Sequence, residues 1–248
     1  MMSPFTYENS PYLIRSDIGE AHRLYWSRLA SPGSWWSGAD RVSIAAECRA
    51  ARDCNFCAER KTALSPYTDL YQHESVTDLP VRAVDAVHRI VTDQTRITRA
   101  WIEDNAESGL GIEAYVELAG IVVAVLSIDE FNRSLGLPFE PLPQPMPGEP
   151  DEYRPNNVVT DTGFVPMIDR DGAVGREADL WSSKFSANVI RALSVVPNAV
   201  RGWKDLASAQ YIGLETMGNF TGRSDRAIDR AQMEIVAGRV SSYNECFY

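Results

Sequence analysis

Apolar residues recur at helical spacing through most of this chain. Between residues 17 and 30, Ile18, Ala21, Leu24, Tyr25 and Leu29 fall on one side, the rhythm of a helix that buries one face. Ser31-Pro32-Gly33-Ser34 interrupts it, and the pattern predicts a second helix over about 38–52. Asp53 stands where a cap belongs for a short helix opening with Cys54-Asn55-Phe56-Cys57. Leu79-Pro80 opens another helix, with Val84, Val87, His88 and Val91 at helical spacing. Residues 109–136 hold a long helix with a nearly continuous apolar centre, and helical patterns return over 181–196, 198–211 and 224–240. No segment alternates with period two between hairpin turns, so the expected fold is all-α.

Prolines at 138, 141, 143, 145, 147, 150 and 155 exclude helix and predict an extended, polyproline-like strap. Such a strap serves as a connector or as a docking site for a partner. The chain therefore divides into an N-terminal helical half (1–136), a Pro-rich and irregular connector (137–177) and a C-terminal helical half (178–248). Within the connector, Asp169-Arg170-Asp171-Gly172 lacks most of a calcium loop and reads as a turn.

With 248 residues there is enough chain for a packed core. The net charge of -10 and pI near 4.8 argue against nucleic acid or an anionic membrane as partner, since either requires a basic footprint. The start Met1-Met2-Ser3-Pro4-Phe5-Thr6-Tyr7-Glu8 lacks a basic segment followed by an apolar run, and the apolar stretch 114–126 is short and contains Glu117. These features predict a cytoplasmic protein with no membrane segment. Four cysteines in a chain of this length are not a disulfide scaffold, and Cys-x-x-Cys in a cytosolic setting reads as redox or metal chemistry.

A redox cysteine reacts as the thiolate, which a helix N-terminus stabilises through its unpaired N–H groups. The two-residue gap lets Cys54 and Cys57 close a disulfide within one turn. Two alternatives stay open. Cys48, Cys54 and Cys57 suggest a zinc site, although no fourth ligand follows at finger-like spacing, and all three also read as inert buried thiols. Glu117, in its apolar run, is either a proton acceptor with a raised pKa or the partner of an Arg between helices. Glu47 lies seven residues before Cys54 and need not face the same pocket. His88 reads as a hydrogen-bonded core histidine, His73 as free to approach the pair, and His22 shows no partner signal. Trp35-Trp36 reads as core.

The run 230–240 followed by Asn244-Glu245-Cys246 resembles the core motif of the alkylhydroperoxidase D and carboxymuconolactone decarboxylase superfamily, in which a Glu precedes a Cys-x-x-Cys pair and a His follows. Glu234 and Cys246 have the motif's separation, and residues 188–203 are similar to the helices leading into it. Residues 36–57 resemble a divergent copy: placing Cys54 on Cys246 aligns Ile44-Ala45 with Val236-Ala237, Asp53 with Glu245 and Phe56 with Tyr248. The first copy departs from the motif, with Val42 in place of its Glu and Lys61 in place of its His.

The resemblance implies a helical fold of two repeat-like halves and thiol peroxidase or disulfide-exchange chemistry. Cys57 would be peroxidatic and Cys54 resolving, with Glu234, Cys246 and Glu117 as further catalytic candidates. No cofactor or metal is expected. The implied partners are a small hydroperoxide or disulfide, a thioredoxin-like or lipoyl-type reductant, and further copies of the chain in a homo-oligomer. Position 249 would be the missing second cysteine of the C-terminal copy, which raises the expectation of a selenocysteine codon read as a stop. A lactone decarboxylase-like enzyme and a catalytically degenerate oligomeric helical protein are the competing functions.

Overall fold

The computed structural model describes residues 4–63, 72–181, 186–219, 226–243 and 246. Their helices are α1 (Ser16–Ala30), α2 (Gly38–Ala50), α3 (Asn55–Thr62), α4 (Val81–Thr92), α5 (Arg99–Glu107), α6 (Ile112–Ser134), α7 (Asn188–Arg191), α8 (Pro197–Gln210) and α9 (Arg230–Tyr243). Among the described residues the strand structure is one antiparallel pair, β1 (Val158–Val159) with β2 (Met167–Ile168), in register Val158↔Ile168. The all-α expectation therefore holds for the described residues.

α6 is the centre of the core. Val116, Leu118, Ile121, Val122, Ala124, Val125 and Ile128 are buried around its circumference, because α1, α2, α4 and α8 all pack against it. No single described helix is long and apolar enough to cross a membrane. α5 and α6 reach that composition only as a pair, and they meet at 118°. α8 brings Leu206, and the turn before it brings Val195 and Val196, into the same core cluster as α1, α2, α4 and α6.

Local chemistry sets the helix ends. Ser37 and Asp40 form a reciprocal capping box at the start of α2, and Thr98 Oγ1 accepts from Trp101 N at 3.2 Å at the start of α5. The Pro-rich strap is extended and pinned to the body. Trp26 Nε1 donates to Pro141 O (2.9 Å), Met146 N to Ala30 O (2.8 Å) and Glu152 N to Ser34 O (2.8 Å). Gly38 lies where the strap, the end of α1 and the start of α2 converge: a Cβ there would come within 2.6 Å of Met146 O and closer still to Ala30 O.

Several element boundaries differ from the periodicity reading. Asp53 does not cap α3. It belongs to a 3-10 turn, Ala51–Asp53, and Cys54 itself occupies the N-cap position with no side-chain hydrogen bond to the helix. The helix expected over 181–196 is confined among the described residues to α7, with 182–185 lying outside them. Pro197 keeps Val196 out of helical backbone (φ -122°, ψ 84°), so α7 and α8 stay separate helices. Arg191 and Ser194 also bond to a strand, Arg191 Nε donating to Ile168 O (3.0 Å) and Ser194 Oγ accepting from Ile168 N (2.7 Å). α5 has no counterpart in the periodicity reading. The helix expected over 224–240 runs to Tyr243, and 220–225 lie outside the described residues.

Candidate functional site

α4 is buried on two sides, and that arrangement creates the site. Ala83, Val84 and Val87 join the apolar core, while Asp85, His88 and Arg89 are buried with polar partners. Asp85, His88, Arg89 and Thr92 recur at three- and four-residue spacing, so they form a polar stripe along one side of the helix. The 3-10 turn Ala51–Asp53 lies between α2 and α3 and packs on α4, which places the start of α3 beside the polar stripe. Cys54 and Cys57 occupy that start and remain only 3% and 2% exposed.

Four donor atoms converge there. Cys57 Sγ lies 3.3 Å from His88 Nδ1 and 3.6 Å from His73 Nδ1, and Cys54 Sγ lies 3.7 Å from His73 Nδ1. The two sulfurs and two imidazole nitrogens are all within 4.8 Å of one another. Each imidazole is anchored behind by a carboxylate, His88 Nε2 to Glu47 Oε2 at 3.0 Å and His73 Nε2 to Asp85 Oδ1 at 2.9 Å.

A carboxylate only accepts, so Nε2 of each ring carries the hydrogen and Nδ1 presents its lone pair to the sulfurs. Glu47 is fixed as the anion. Burial works to raise its pKa, but hydrogen bonds from His88, Thr77, Ser75 and Val76 N outweigh burial and hold it at about 2. Ser75 Oγ (2.8 Å), Val76 N (2.9 Å) and Thr77 Oγ1 (2.6 Å) all donate to Glu47 Oε1. Burial also opposes the charge on Asp85, yet His73, Arg89 and Arg60 hold it at about 2. Arg60 Nη1 donates to Asp85 Oδ1 at 2.7 Å, and Arg60 Nη2 lies 4.0 Å from Cys57 Sγ. Burial pushes the Cys57 thiol up to about 12 despite Thr92 and Arg60. Burial thus favours the protonated form of Cys57, and His88 Nδ1, 3.3 Å away, is a basic atom placed to accept its proton.

Of the residues singled out by sequence, the fold brings Cys54 and Cys57 together with His73, His88 and Glu47. His88 is buried and hydrogen-bonded, as a core histidine would be, and also faces a cysteine. Cys48 lies instead in the apolar core, its thiol pushed up to about 12 by burial, and takes no part in the cluster. Glu117 pairs with Arg41 and accepts from Trp35 N at 2.6 Å, at a cleft of about 280 Å³ also lined by Arg28 and Arg201. Burial raises its pKa in spite of Arg41.

Glu234 on α9 accepts from Tyr211 Oη and pairs with Arg230 at 2.7 Å, and Cys246 is exposed. Glu245 and Tyr248, which carry the alignment of the two copies, lie outside the described residues. Val42 packs against the core and Lys61 is exposed at the end of α3. Asp85 and Arg60 were not singled out by sequence. Their signal was the polar stripe of α4 and the placement of Arg60 one turn after Cys57. No family model, curated protein or solved structure matches this chain.

Proposed function

We propose that this protein reduces hydroperoxides through its thiols, with Cys57 attacking and Cys54 resolving. The observation that carries the reading is the line Cys57 Sγ–His88 Nδ1 (3.3 Å), His88 Nε2–Glu47 Oε2 (3.0 Å). His88 takes the thiol proton, and Glu47 stabilises the imidazolium that forms. The Cys57 sulfur attacks the terminal peroxide oxygen and the O–O bond breaks. The proton from His88 goes to the leaving alkoxide, giving Cys57 sulfenic acid and an alcohol. Cys54 then attacks the sulfenic sulfur, closing the disulfide and releasing water. An external dithiol returns both cysteines to the reduced state. The low exposure of Cys57 favours small oxidants over bulky ones.

The alkylhydroperoxidase D-like reading, with its tandem copies, belongs to the same proposal. What supports it is the Cys pair at a helix start after a helix bearing a buried acid. Glu47 and His88 would take the roles that the family motif gives to the Glu and His replaced here by Val42 and Lys61. A thioredoxin-like or lipoyl-type reductant and a homo-oligomer go with this reading. Assembly would cover apolar surface such as the exposed Ile235, Val236, Val240 and Tyr243 of α9.

The test is peroxide treatment of the reduced, chelator-treated protein followed by mass spectrometry. A Cys54–Cys57 disulfide is expected, formed about a hundred-fold more slowly in Glu47→Gln. Thiols that stay unreacted under excess peroxide, or a Glu47→Gln rate equal to wild type, would overturn the proposal.

A further inference from the structure

The geometry points to a second property of the same four side chains: Cys54, Cys57, His73 and His88 form a tetrahedral site for a zinc-class divalent cation. The inference stands on the donor atoms and their anchoring and does not depend on the peroxidatic reading.

Three observations carry it. The first is spacing. Zinc bound at about 2.3 Å to sulfur and about 2.0–2.1 Å to nitrogen, at tetrahedral angles, holds its sulfur and nitrogen ligands about 3.6 Å apart. Three of the four sulfur–nitrogen separations here are 3.3, 3.6 and 3.7 Å, and the full set of donor atoms lies within 4.8 Å.

The second is direction. Both rings turn Nδ1 to the sulfurs because Nε2 of each is bound to a carboxylate, Glu47 behind His88 and Asp85 behind His73. This carboxylate–histidine arrangement fixes the tautomer and makes the free nitrogen a better ligand. One such pair would be ordinary for a buried histidine. Two, aimed at the same pair of thiols, are not needed for a proton relay that uses His88 alone.

The third is charge and enclosure. All four side chains are buried or nearly so, with His88 fully buried and the His73 side chain 2% exposed. Two thiolates neutralise one divalent cation, so a filled site adds no net charge to this interior. Two thiolates with two imidazoles in a tetrahedron is the donor set that selects zinc among common divalent metals. The histidines come from the segment before α4 and from α4 itself, so no finger-like spacing announces them.

The test uses the full-length reduced protein, stripped with chelator and titrated with Zn²⁺ alone against a chromophoric competitor, and separately with Co²⁺. One equivalent of metal is expected, with the intense visible bands of tetrahedral cobalt and a thiolate charge-transfer band. Zn²⁺ should also protect Cys54 and Cys57 from alkylation while leaving Cys246 reactive, a readout in the wild-type protein that needs no variant. His73→Ala should weaken binding at least tenfold, and Asp85→Asn should weaken it about 10–100-fold. Cys246→Ser should leave it unchanged.

Absence of stoichiometric binding, an octahedral cobalt spectrum, or Zn²⁺ affinity unaltered in a folded His73→Ala protein would overturn the site. If binding fails while peroxide still closes the Cys54–Cys57 disulfide, the metal inference falls and the redox reading stands. If metal binds tightly and the stripped protein gives no disulfide, the reverse holds.

Discussion

Two regions of this molecule bury histidine, and they do so with opposite chemistry. His22, on α1, is bonded on both sides by neutral groups: Tyr7 Oη at Nδ1, and Gln210 Nε2 at 2.8 Å from Nε2. Tyr7 Oη donates onward to Asn132 Oδ1 at 2.9 Å, so it accepts from His22, while the Gln210 amide donates. Phe5 and Phe131 pack edge-on against the ring. A second proton on His22 would place two donors face to face. His73 and His88 are backed by carboxylates and turn their lone pairs to thiols. Burial alone does not distinguish a structural histidine from a candidate base or ligand. The charge and donor sense of the partner on the far nitrogen does.

The sharpest way to break the comparison is to remove the proposed nucleophile. Cys57→Ser should abolish peroxide-dependent turnover, whereas Cys54→Ser should permit one oxidation and stall at a sulfenic acid that a diketone probe traps. Several turnovers in Cys57→Ser would reverse the assignment of roles. A His22→Gln protein should retain the wild-type rate.

Next in size is the ion pair that supports the Cys–His cluster. Asp85→Ala leaves the buried Arg60 without its 2.7 Å partner and releases His73, so urea unfolding should show a loss of about 3–5 kcal/mol. A loss below about 1 kcal/mol would mean that the carboxylate is dispensable to the fold.

Acidification should reach the His22 region in a defined window. Burial lowers the pKa of His22 from 6.5 to about 4, with Arg23 adding to the effect. The unfolded chain takes up a proton near pH 6.5 and the folded chain does not. Stability from neutral His22 is therefore full above pH 6.5, falls as the pH drops below it, and is lost by about pH 4. The total is roughly 3 kcal/mol. Urea unfolding of wild type and His22→Gln across this window should converge as the pH falls. Parallel curves would show that His22 titrates alike in both states.

The smallest expected effect is at Cys246. It is exposed, and the acid at motif spacing, Glu234, is held by Tyr211 and Arg230. Cys246→Ser should change neither stability nor the rate of Cys54–Cys57 oxidation, measured by unfolding and by mass spectrometry. A slowed oxidation would tie the C-terminal cysteine to the site.

The sequence by itself determined the helical class, most helix positions and the candidate cysteine pair. These follow from local rules: three-to-four-residue periodicity, prolines that stop helices, and a two-residue gap between cysteines. It did not determine which acid and which histidines serve that pair. Glu47 is seven residues from Cys54, and His88 lies on a helix whose apolar stripe marked it as core. Only the packing of α4 between the core and the start of α3 brings His88 to Cys57 and Glu47 to His88. Motif spacing pointed to Glu234, and an apolar run to Glu117, because local pattern along a chain carries no information about which helix faces which. The side chains of one site come here from α2, the start of α3, α4 and the segment before α4. Their convergence is a property of three-dimensional packing, which closes long loops and buries charges only where partners meet them.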